Sequence, residues 1–189
     1  MDKKIDLNRL NVKGFARENL SLQGHRGLAQ FSRLLDLEAK PAPVPEDECQ
    51  GETQVTWSIQ GELLPVSAGD EQIWLHLKAE LLLPMQCQRC MGAMTVLVSS
   101  DQSFRFVADE STAEAEDEAS EEDLLVWVPE FDVWELIEDE LIMSVPLVPK
   151  HEVCPTWVPM SAVDEAFEEA LDARPNPFAA LAQLKKKPD

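Results

Sequence analysis

Ile73-Trp74-Leu75-His76-Leu77-Lys78-Ala79-Glu80-Leu81-Leu82-Leu83-Pro84-Met85-Gln86-Cys87-Gln88-Arg89-Cys90 is the stretch whose reading decides the fold. Ile73, Leu75, Leu77, Ala79, Leu81 and Leu83 occupy every second position, the period of a strand with one face buried. Val96, Val98, Phe104 and Phe106 then suggest one or two returning strands. The pair Cys87-x-x-Cys90 therefore falls on a turn between strands. Two sulfurs on such a turn suit half of a tetrahedral zinc site, a redox dithiol or a packed turn. A thioredoxin-like dithiol needs its first cysteine at the start of a helix, where the helix N-terminus stabilises the thiolate. Met91-Gly92-Ala93 leads back into strand-like sequence instead, which argues against redox catalysis.

Upstream, Val55, Trp57 and Ile59 alternate as a half-buried strand does. Ile5 to Leu7 suggests a short strand. Leu28, Phe31, Leu34 and Leu35 recur at helical spacing and predict an amphipathic helix within Gly24 to Leu37. Pro41, Pro43 and Pro45 make a stiff connector.

Downstream, Asp109 to Asp123 holds nine acids in fifteen residues, padded with Ser, Thr and Ala. Such a composition predicts a mobile loop over 109–123. Leu124 to Val128 reads as a strand. Asp132 reads as a helix N-cap with Glu135 completing a capping box, and Pro146 and Pro149 lie past the helix end. Glu138, Asp139 and Glu140 are expected on the solvated face of this helix. They lack a neighbouring His or nucleophile in sequence, so acid/base chemistry is not expected of them. Ser161 to Leu171 suggests a weakly apolar helix. Asn176 and Pro177 open a short helix from Phe178 to Lys187, with lysines in its last turn.

The expected architecture is one domain over 1–189 of class α+β: an antiparallel sheet with flanking helices, the acidic loop, and a C-terminal helix and basic end over 174–189. Four cysteines without an export segment are expected to be reduced thiols, and no run of ~18 apolar residues is present to span a bilayer. A cytoplasmic setting follows as an expectation. The formal charge is −20. Fifteen acids and no Lys or Arg lie between Arg105 and Lys150, whereas the first forty residues hold eight basic residues against five acids. An acidic body repels phosphate backbones. If the chain serves a nucleic-acid process, a basic protein partner or the basic ends are the expected points of contact. No phosphate-binding glycine loop and no Ser/His/Asp order is present.

Lys150-His151-Glu152-Val153-Cys154-Pro155 supplies a second pair at the same spacing. Cys87, Cys90, His151 and Cys154 are the candidate ligands of a structural zinc, a set of three thiolates and one imidazole. About sixty intervening residues do not prevent closure, because loop-closure cost grows slowly with length. Cys49, near the proline connector, is not expected to be a ligand.

Four segments, in this order and spacing, carry a resemblance. They are Leu83-Pro84-Met85-Gln86-Cys87-Gln88-Arg89-Cys90, the helix Asp132 to Ile142, its tail Val145-Pro146-Leu147-Val148-Pro149-Lys150-His151, and Arg174-Pro175-Asn176-Pro177-Phe178-Ala179-Ala180-Leu181. Together they resemble the YceD family, the large ribosomal RNA subunit accumulation proteins. The resemblance implies a non-enzymatic ribosome-biogenesis factor for synthesis, processing or stability of large-subunit (23S) rRNA, with no catalytic or cofactor-binding residues to carry over. Its implied partners are a ribosome-assembly or RNA-processing protein and rRNA, reached directly or indirectly, with no membrane and no small-molecule substrate. Many relatives carry a second cysteine pair where this chain has His151 and Cys154. A direct RNA chaperone, a zinc-binding interaction module and a metal or thiol enzyme using Cys87 and Cys90 are the alternatives.

Overall fold

The computed structural model describes residues 5–38, 53–66 and 71–157. The chain divides into two units, Met1–Glu152 and Val153–Asp189. In the first, the described elements are α1 (Val12–Arg17), β1 (Ser21–Gly27), a 3-10 turn (Leu28–Gln30) and α2 (Ser32–Leu35). The strands β2 (Gln54–Pro65), β3 (Glu71–Gln86) and β4 (Ala93–Val107) follow, and then α3 (Glu110–Glu116), β5 (Asp123–Val126) and α4 (Val133–Ser144). The expected proline connector and the expected helices at 161–171 and 174–189 lie outside the described residues.

The five strands form one sheet in sequence order, β1-β2-β3-β4-β5. β1 to β4 are antiparallel, while β5 pairs with β4 in parallel. The sheet is therefore mixed rather than wholly antiparallel. A parallel return needs a crossover, and α3 lies within it.

Register explains the core. Trp57 pairs with Ala79 and Ile59 with Leu77, while Ala79 pairs with Ser100 and Leu81 with Val98. Paired residues share a face, so the alternating apolar residues of three strands make one continuous apolar surface. Val55, Leu75, Leu77, Leu83, Val133, Ile137 and Leu141 are fully buried in the resulting core, between that face and the helices. Trp134 of α4 packs edge-on against Trp57 (5.1 Å) and Phe31 (6.1 Å), with the Arg26 guanidinium 4.2 Å from its ring.

α1 sits on β2 at Gly61. A Cβ there would lie 2.6 Å from Phe15 Cδ1 and 2.8 Å from the backbone of Ala16. Only a residue without a side chain admits this approach.

Several local readings differ from the structure. Residues 5 and 6 form no strand, and the predicted helix within 24–37 is a strand end, a 3-10 turn and the four-residue α2. Leu28, Phe31 and Leu34 are nevertheless buried, so the apolar spacing marked burial rather than one continuous helix. The acidic segment 109–123, expected to be a mobile loop, forms α3 and a 3-10 turn. Asp109 caps α3 by accepting from Thr112 N, and its hydrogen bonds from Ser111 and Thr112 hold its carboxyl below the usual range. Arg105, a buried β4 residue, anchors the segment by donating to Glu116 (2.7 Å), Glu122 (2.6 Å) and Ser120 (2.8 Å). A single buried cation thus gives an otherwise soluble segment a reason to order.

α4 agrees with its reading at the N-cap, with Asp132 accepting from Trp134 N and Glu135 N. The Glu135 carboxylate makes no return bond to Asp132 N, so the capping box is only half formed. The acidic face of α4 departs from its reading. Glu138 is buried and accepts from the backbone N–H groups of Arg33 and Leu34, capping α2 from a distance, and from the Arg33 guanidinium. Glu140 turns toward the sheet and accepts from Ser100 Oγ at 3.0 Å. Burial, reinforced by Asp123 and Asp139, raises its pKa against the opposing pull of Ser100.

Gly61→Ala should cost about 1–3 kcal/mol in a denaturant titration, because the added methyl meets backbone as well as ring atoms. An unchanged midpoint would contradict the contact. A raised folded-state pKa favours the native fold at low pH and withdraws that advantage as pH rises through the folded value. Glu140→Gln should therefore raise the melting temperature at pH 7 by about 1–3 °C, and the gain should disappear below the ordinary glutamate value of 4.5. Parallel melts of both proteins from pH 4 to pH 8 check this.

Candidate metal centre

The β3–β4 turn carries the first cysteine pair, as its position between two strand patterns predicts. Cys87 N donates to Gly92 O (2.9 Å) and Met91 N to Cys87 O (2.8 Å), so the reversal closes around Cys87. Met91 takes the left-handed conformation, with φ 59°. This costly backbone state for a side-chain-bearing residue is held by the two hydrogen bonds. No helix begins at the pair, which removes the dipole a thioredoxin-like site uses.

After α4 the chain returns to this turn. Gln88 N donates to Pro149 O at 2.8 Å. The Arg89 guanidinium donates to His151 O (2.8 Å) and Glu152 O (3.2 Å). His151 N points at Cys87 Sγ from 3.5 Å. Pro149 is buried, while Leu147 and Val148 on the approach are exposed.

The predicted ligands come together. His151 Nδ1 is 3.4 Å from Cys90 Sγ. The donor atoms of Cys87, Cys90, His151 and Cys154 all lie within 4.8 Å of one another. Cys87 is fully buried, and the other three are partly so.

Two details set the chemistry of the donors. Burial opposes ionisation of Cys87. The backbone N–H groups of Cys90, His151 and Arg89 and the Cys90 side chain outweigh it and lower the thiol from 9.0 to about 5. Its sulfur is prepared as a thiolate. His151 Nε2 lies 3.2 Å from Ala93 O. A carbonyl only accepts, so Nε2 carries the proton in the neutral ring and Nδ1 turns its lone pair toward the sulfurs. A ligating histidine is oriented in this way when its second nitrogen donates to a backbone carbonyl.

Spacing alone identified the four donors but not their supports. Gln88, Arg89 and the carbonyl of Ala93 carry no signal in a pattern of cysteines, because two of the three act through backbone atoms and the third holds backbone atoms.

Comparison with known proteins gives the chain a family. The family model described as "Large ribosomal RNA subunit accumulation protein YceD" matches residues 75–185. The chain belongs to the YceD family. The match starts in β3 and takes in the cysteine turn, β4, β5 and α4, leaving α1, β1, α2 and β2 ahead of it. The large ribosomal RNA subunit accumulation protein YceD of Haemophilus influenzae is 34% identical over 115 residues, 58% of this chain and 64% of that YceD protein. The chain thus spans less than two thirds of that relative's length. No solved structure matches it. Among the described residues, no helix is long and apolar enough to cross a membrane.

Proposed function

We propose that this chain is a cytoplasmic, non-enzymatic factor required for the synthesis, processing or stability of large-subunit (23S) ribosomal RNA. The observation that carries the reading is the family match over residues 75–185. The charge map supports a route through proteins. With a formal charge of −20, the body repels a phosphate backbone. Once Arg105 has engaged Glu116 and Glu122, the carboxylates of Glu110, Glu114, Asp117, Glu118, Glu121 and Asp123 stay exposed along α3, the 3-10 turn after it and the start of β5. Such a surface complements a basic ribosome-assembly or RNA-processing protein. The rRNA is then reached indirectly, with any direct contact left to the basic ends of the chain.

Depletion tests this reading. Loss of the protein should lower the ratio of large- to small-subunit rRNA, and the intact chain supplied in trans should restore it. A ratio unchanged by depletion would remove the proposed function. A gel shift of purified chain with a 23S fragment at low salt separates the direct route from the indirect one, since tight salt-sensitive binding contradicts the indirect route.

A further inference from the structure

We propose that Cys87, Cys90, His151 and Cys154 bind one zinc ion in a closed, structural site of three thiolates and one imidazole that pins the segment after α4 to the tip of the β3–β4 hairpin. In a tetrahedral site with Zn–S of about 2.3 Å and Zn–N of about 2.0 Å, neighbouring donors stand about 3.5–3.8 Å apart. Cys90 Sγ and His151 Nδ1 are already 3.4 Å apart, and the whole set lies within 4.8 Å. Shifts of about an ångström complete the site.

The donor chemistry chooses the metal class. Three soft sulfurs with one imidazole favour zinc over magnesium or calcium, which take oxygen ligands. Four protein donors leave no open position for water, so the ion holds structure rather than performs hydrolysis. Binding forms three Zn–S bonds and one Zn–N bond. The thiol protons leave to solvent, and no electron is transferred. Zn2+ with three thiolates carries one net negative charge, and Arg89 places its cation beside the site by gripping the His151 and Glu152 carbonyls. The Nε2 contact with Ala93 O fixes the ring so that Nδ1 faces the ion. Contacts within the protein already bring the two segments together, and the metal adds a bond network that thermal opening must break as a unit.

The test uses the full chain, expressed with zinc supplied and purified without chelator. Elemental analysis should find about one zinc per chain, and cobalt substitution should give the intense visible absorption of a tetrahedral thiolate site. Cys90→Ser and His151→Ala should lower zinc affinity at least about tenfold against a chromogenic chelator, while His151→Cys should retain zinc in an all-thiolate site. Cys49→Ser should change nothing. Folded protein with less than about a third of a zinc per chain and no tetrahedral cobalt spectrum overturns the proposal, as does iron as the bound metal. If Cys90→Ser fails to fold by circular dichroism, the cobalt spectrum of the unaltered chain decides.

Discussion

The β3–β4 pairing runs without interruption from Ile73↔Phe106 to Gln86↔Ala93, and the rest of the described structure is arranged around that ladder. A strand presents alternate residues to opposite faces, so a slip of one position would carry Leu75, Leu77, Leu81 and Leu83 to the solvent side. The register is thus set by the burial it permits. β2 inherits the parity through Ile59↔Leu77 and Trp57↔Ala79, and α4 lays Val133, Ile137 and Leu141 on the surface so formed. At the far end, the same ladder delivers Gln86 opposite Ala93 and leaves Cys87 to close the turn. The position of the sulfurs is a consequence of the hairpin.

The sequence discloses this frame because period-two alternation is a strong and local signal. β3, β4, β5 and the Asp132-capped α4 all stand where their patterns put them. What it conceals depends on partners remote in sequence. Glu138 and Glu140 resemble any acids on a helix until Arg33, Leu34 and Ser100 arrive from more than thirty residues away. The acidic segment reads as a loop because its composition cannot bury a core. Buried Arg105 supplies another source of order, and no window around the acids reveals that this arginine points inward. The Gly24–Leu37 region fails for a related reason. Helical spacing and a strand followed by two short turns bury Leu28, Phe31 and Leu34 equally well.

The candidate centre was half legible. Two x-x spacings name four donors, and the structure gathers those four. Spacing cannot give the orientation of the imidazole, the N–H groups aimed at Cys87 or the Arg89 grip on the returning chain. These supports hold the donors in place and differ from a thioredoxin-like dithiol. Cys87 is buried in the hairpin tip, no helix begins at the cysteine pair, and backbone N–H groups surround its sulfur. Under the function proposed above, the acidic α3 segment is the surface offered to a basic partner.

The central claim is that the donor cluster is a clip between the hairpin tip and the segment after α4. Amide hydrogen exchange, measured before and after treatment with a zinc chelator, tests it most directly. The Gln88 and His151 amides, which point at Pro149 O and Cys87 Sγ, should exchange at least about tenfold faster after chelation, while Leu77 and Ala79 in the central strand keep their protection. Unchanged exchange at Gln88 and His151, or an equal loss across β3, would contradict the account.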